Sequence, residues 1–135
     1  MLNAYSLNVP VGSTATIPFN NVKIEKGCTA ILTAPGSIQL NKRGVYGVTF
    51  DTSVVPSAAG TVSAQLSRQG LLQPSAQSSV TGAAGSISSL GFHDLIQVSE
   101  DNTCCCFSSP VTLQVVNTGV AATYVNANLT VTKIC

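Results

Sequence analysis

Apolar and polar residues alternate with a period of two in several stretches of the chain. In "ATYVNANLTVTK", Val125, Ala127, Leu129 and Val131 fall on one side, and Asn126, Asn128, Thr130 and Thr132 on the other. That spacing predicts a strand with one buried face. Just upstream, Val111, Leu113 and Val115 alternate with Thr112 and Gln114, and the "NTG" of Asn117 to Gly119 is a turn signal between the two segments. Val62, Ala64 and Leu66 repeat the pattern, as do Tyr46, Val48 and Phe50. "SIQL" reads as a short strand before the turn "NKRG", "DLIQVSE" as another, and "ATIPF" as a third that Pro18 places at a sheet edge. "SVTGAAGSISSL" reads as a loop or weak strand, and surface loops are expected around residues 53–59, 69–79 and 99–110. No segment has helical spacing. About eight to ten short strands joined by Gly-, Ser-, Pro- and Asn-rich turns predict an all-β fold, an antiparallel jelly-roll β-sandwich.

Composition narrows the function more than the fold. The chain of 135 residues is one domain's worth. Charged residues are 8% and the net charge is +1, so there is no basic stripe with which to hold a nucleic acid. No apolar run is long enough to span a membrane, and the N-terminal "MLNAYSLNVPVGSTATIPF" lacks the basic start and apolar run of a secretory signal. Aromatic residues are 5%, so the core must come from Val, Leu, Ile and Ala. So few charges give a solitary domain little solubility, which points to a surface partly covered by other subunits.

Candidate chemistry is sparse. His93 and Asp94 are adjacent among many serines, but no G-x-S-x-G elbow accompanies them. Glu100, Asp101 and Asn102 lack the spaced acids of a calcium loop. No Gly-rich stretch is followed by Gly-Lys-Ser/Thr, Lys42 and Arg43 form a lone basic pair, and the sequon at Asn128 lies within a predicted strand. The reading is a protein that is not an enzyme and carries no cofactor and no metal.

The order of "IPFNNV", "APGSIQLNKRGVYGVTFD", "GTVSAQLSRQGLLQPSAQSS", "HDLIQVSEDNT" and "PVTLQVVNTGVAATYVNANLTVTKI" over residues 15–134 resembles one known module. This is the tumour-necrosis-factor-like jelly roll of Firmicutes exosporium collagen-like glycoproteins and of related phage and prophage structural proteins. The resemblance implies a homotrimer in which a strand face of each subunit lies along a threefold axis. The matching positions here are Tyr46, Val48, Phe50, Leu129 and Val131. No Gly-X-Y stalk precedes the module, which favours a structural protein on a virion surface: a capsid decoration or stabilising protein, or the head of a short head fibre. The alternatives are a trimeric receptor- or glycan-binding module and a spore- or cell-surface component. Residues 1–14 are expected to form an arm that anchors the jelly roll of residues 15–135 to capsid or other particle proteins. Pro10 within "LNAYSLNVPVG" lacks the donor of a ladder strand.

Five cysteines complete the inventory: Cys28, Cys104, Cys105, Cys106 and Cys135. The odd count leaves at least one thiol unpaired within a chain. If Cys104 to Cys106 begin a strand, Cys104 and Cys106 share one face and Cys105 takes the other. A bridge from this cluster to Cys135 would close a loop of about 30 residues and stabilise by roughly 3–4 kcal/mol in the chain-entropy model. Free thiols, disulfides within or between subunits, and a threefold metal ring are the three readings. In all three the cluster is structural, with Cys105 and Cys135 the candidate linkers.

Overall fold

The computed structural model describes residues 1–27, 30–42, 44–98 and 111–134. Ten strands follow in chain order: β1 (Leu2–Val11), β2 (Asn21–Glu25), β3 (Ala30–Ala34), β4 (Ser37–Leu40), β5 (Gly44–Pro56), β6 (Gly60–Arg68), β7 (Leu71–Gly82), β8 (Ser88–Val98), β9 (Val111–Asn117) and β10 (Ala122–Lys133). They form two five-stranded sheets, ordered β2-β1-β10-β5-β8 and β3-β4-β9-β6-β7. Every paired neighbour is antiparallel. The sheets face each other across one apolar core, the jelly-roll sandwich that the alternation predicts. No helix occurs among the described residues.

The inward face of each strand supplies every second side chain. Val48, Phe50 and Val54 of β5, Val62, Ala64 and Leu66 of β6, Leu113 and Val115 of β9, and Leu129 and Val131 of β10 are fully buried. The few aromatic rings are concentrated here. Phe50 stands edge-on to Phe19 with centroids 6.0 Å apart, and meets Phe92 at 5.3 Å. Such pairs add about 0.5–1.5 kcal/mol beyond the area they bury.

Residues 1–14 are not an arm. Leu2–Val11 is β1, held between β2 and β10 with Leu2 opposite Val131 and Val11 opposite Ala122. Leu2 and Ala4 are fully buried and Ser6 donates from Oγ to the Pro18 carbonyl at 2.7 Å. Pro10 is accommodated because β2 accompanies β1 only as far as Tyr5. Beyond that point one side of β1 is an open edge, where a missing N–H costs no ladder bond.

The alternation slips once in β10. Tyr124 points inward and Val125 is only half-buried, because a bulge between Tyr124 and Asn128 adds a residue to β10 against β5. Asn8 on β1, level with this slip, has a φ of 50°, a conformation asparagine tolerates. The stretch expected as a loop at 69–79 is mostly β7, and "SVTGAAGSISSL" splits into the end of β7 and the start of β8. β7 is an edge strand whose inward positions include only Ala76 and Val80 as apolar residues, so its hydrophobic signal is weak. At Pro74 the ladder with β6 slips register, and the Gln65 side chain donates to the Gln73 carbonyl at 2.9 Å.

One end of the sandwich is closed by the β9–β10 turn. Asn117 is fully buried. Its Nδ2 donates to the carbonyls of Gly12 (3.1 Å) and Val120 (3.0 Å), and its Oδ1 accepts from the Tyr124 hydroxyl (3.1 Å) and the Gly119 N–H (3.3 Å). Its backbone pairs with Ala15 and Thr14. The predicted "ATIPF" strand is reduced to a bridge between Thr16 and Val116, with the Ile17 N–H donating to the Val115 carbonyl. Gly119 passes so close to β6 that a Cβ there would lie 2.3 Å from the Thr61 carbonyl oxygen.

Candidate interaction face

Tyr46, Val48, Phe50, Leu129 and Val131, the positions expected at a threefold axis, are all fully buried within the single chain. They point into the chain's own core and cannot meet another subunit. The reason is the period of two: the apolar set of a half-buried strand fills its own sandwich, so a neighbour must meet the other set. Those alternate positions on β1, β10, β5 and β8 make the outer face of the β2-β1-β10-β5-β8 sheet.

Three ladders bring these residues into register. Asn3 lies opposite Thr130, Thr130 opposite Thr49, and Thr49 opposite His93. Asn3 donates from Nδ2 to Asn128 Oδ1 and to Thr130 Oγ1, both at 2.8 Å. Thr49 Oγ1 and His93 Nδ1 are 3.0 Å apart. A hollow of about 370 Å³ is lined by Asn3, Tyr5, Leu7, Lys23, Asn126 and Asn128. A second, of about 670 Å³, shares Asn126 and Asn128 and adds Asp51, Ser53, Ser89 and Gly91 among others. The two hollows therefore form one groove across the sheet. Bare apolar side chains stand on the same face: Leu7 (57% exposed), Leu95 (56%) and Ile134 (57%). Ile134 lies over Gly47, where an added Cβ would come within 3.2 Å of it.

No catalytic arrangement emerges among the described residues. His93 and Asp94 are neighbours on β8 and so project to opposite faces. His93 meets Thr49, whereas Asp94 accepts from Ser75 Oγ at 3.1 Å. Among the described residues no three His, Cys, Asp or Glu side chains gather closely enough to hold a metal. No helix of the described residues is long and apolar enough to cross a membrane. Lys42 contributes its carbonyl, which accepts from the Tyr46 hydroxyl at 2.6 Å. Burial pushes the Tyr46 hydroxyl pKa up, partly offset by that bond, and burial raises that of Tyr124 strongly. Cys28, Cys104, Cys105, Cys106, Cys135, Arg43, Glu100, Asp101 and Asn102 lie outside the described residues, as does the loop expected at 99–110.

The fold has clear structural relatives. The chain superposes on the globular domain of zebrafish complement 1qA protein with a TM-score of 0.71 at 8% identity, covering 99% of this chain and 96% of that one. It superposes on the Eiger TNF of S. frugiperda with a TM-score of 0.76 at 15% identity, covering 99% and 92%. It also superposes on the PRD1 vertex protein P5 with a TM-score of 0.57 at 18% identity, covering 99% and 96%. The chain thus has a TNF/C1q-like jelly-roll fold, similar to that of proteins that include a phage vertex protein. No protein-family model matches the sequence, and no curated protein matches it significantly.

The Asn and Thr positions of the groove were visible in the sequence as the polar half of the alternation. Their role as one surface was hidden, because it needs the pairing of β1 with β10 and of β10 with β5.

Proposed function

We propose that the chain is a non-enzymatic structural protein on the surface of a phage-type particle, a capsid decoration protein or head-fibre head that works as a homotrimer. The observation that carries this reading is the outer face of the β2-β1-β10-β5-β8 sheet. It is broad, nearly uncharged, internally hydrogen-bonded through Asn3, Asn128 and Thr130, and flanked by exposed Leu7, Leu95 and Ile134. A surface with that character suits another protein surface better than bulk water. The full-length likeness in fold to a phage vertex protein supports the particle context. With Leu2–Val11 built into the sheet, attachment through an N-terminal arm is no longer part of the proposal.

The test is a pair of substitutions on opposite sides of one strand. Thr130→Arg, on the outer face, should yield folded monomers, with an unchanged far-ultraviolet spectrum. Leu129→Asp should unfold the chain, because a carboxylate would be stranded in the apolar core. A Thr130→Arg protein that remains trimeric would remove this face from the assembly. Tyr5 and the polar groove favour a second reading, a glycan-binding module. A glycan array probed with the assembled protein separates the two, because copies packed on the face would close the groove to sugars.

A further inference from the structure

The lining of the two hollows carries one charge of each sign, set apart by uncharged residues. Lys23 lines the hollow at the β2 end, and Asp51 lines the hollow on β5. The shared lining, Asn126 and Asn128, is uncharged. Neither Lys23 nor Asp51 has an ion partner among the described residues. They stand three strand spacings apart across the β2-β1-β10-β5 order, about 14 Å, which is too far to pair within the chain. Gly91 sits opposite Asp51, and a Cβ there would come within 2.9 Å of Asp51 Oδ1, so the missing side chain leaves the carboxylate uncovered.

From this we infer that Lys23 of one copy pairs with Asp51 of the next, and that this contact sets the direction in which copies meet across the face. The inference rests on the proposed assembly through that face. Its physical basis is the polarity of the groove. Copies packed head to tail bring the ammonium of one β2 end against the carboxylate of the next β5. Copies packed with like ends together oppose Lys23 to Lys23 and Asp51 to Asp51. Head-to-tail contacts are heterologous, and they close into a ring when the rotation between copies is a third of a turn. Charge complementarity of this kind fixes register and rejects wrong arrangements more than it adds affinity.

The experiment uses charge exchange and zero-length crosslinking on the whole chain. Lys23→Glu alone and Asp51→Lys alone should each raise the concentration at which half the protein is assembled by about tenfold or more. The double variant Lys23→Glu with Asp51→Lys should recover most of that loss. Carbodiimide treatment of mixed ¹⁴N- and ¹⁵N-labelled protein should join Lys23 to Asp51 in peptides carrying both labels. A trimer indifferent to both single changes, with no mixed-label crosslink, would overturn the pairing and leave the trimer standing. A wild-type chain that stays monomeric would overturn both. A dimer with the crosslink would keep the pair and refute the threefold arrangement.

Discussion

Replacing Asn117 with alanine tests whether the end of the sandwich is held as described. The side chain is fully buried and serves five groups: the carbonyls of Val11, Gly12 and Val120, the Tyr124 hydroxyl and the Gly119 N–H. Alanine removes both the donor and the acceptor while leaving these partners in place. A buried polar group without a partner costs about 1–3 kcal/mol, and the 2.9 Å and 2.7 Å backbone bonds of Asn117 to Ala15 and Thr14 remain. Some of the orphaned groups will turn to water at the rim, so the net loss should be about 3–5 kcal/mol. For a domain of this size that lowers the melting temperature by about 10–20 °C. Thermal and guanidinium unfolding, followed by circular dichroism, would measure it. A cycle with Tyr124→Phe should show about 1 kcal/mol of coupling, the share of the Tyr124–Asn117 bond. A loss below 1 kcal/mol for Asn117→Ala, or strict additivity in the cycle, would show that Asn117 does not hold this end of the sandwich.

Gly119→Ala should destabilise by about 2 kcal/mol or more, seen as an early melt, since its Cβ would press on the Thr61 and Val62 backbone and force the β9–β10 turn off β6. Deleting residues 1–11 should abolish folding rather than release a free jelly roll, because it strips Leu2 and Ala4 from the core and leaves one edge of β10 bare; a proton spectrum with native dispersion would contradict this. Stability should fall above about pH 10. There the unfolded chain loses tyrosine protons that the buried Tyr124 hydroxyl keeps in the fold, so its contribution is complete below pH 10 and declines above it by up to about 1.4 kcal/mol per pH unit, and the raised Tyr46 acts in the same direction. Denaturant midpoints from pH 9 to 11.5 would show the slope, and Tyr124→Phe should flatten it.

Strands with one buried face were legible in the sequence because burial leaves a period of two: "SIQL" is β4 to the residue, and the cores of β5, β6, β9 and β10 fall where the alternation puts them. The family resemblance put this apolar set on an intersubunit surface, and the alternation alone could not test that. Periodicity reports that a face is buried and says nothing of what buries it. β1 was missed because its alternation breaks at Asn8, where the phase shifts, and because Pro10 suggested an unpaired segment. β7 was missed because an edge strand rich in Ser and Gln pairs through its backbone and leaves little hydrophobic trace. The groove depends on which strands lie side by side, a long-range property that no local window contains.

The proposed trimer joins three copies through the outer face of the β2-β1-β10-β5-β8 sheet. Sedimentation velocity of the purified chain at micromolar concentration reads its mass in solution. The wild-type protein should run as a single species of three times 13.8 kDa, which Thr130→Arg converts to folded monomer. A wild-type protein sedimenting at 13.8 kDa across that range would contradict it.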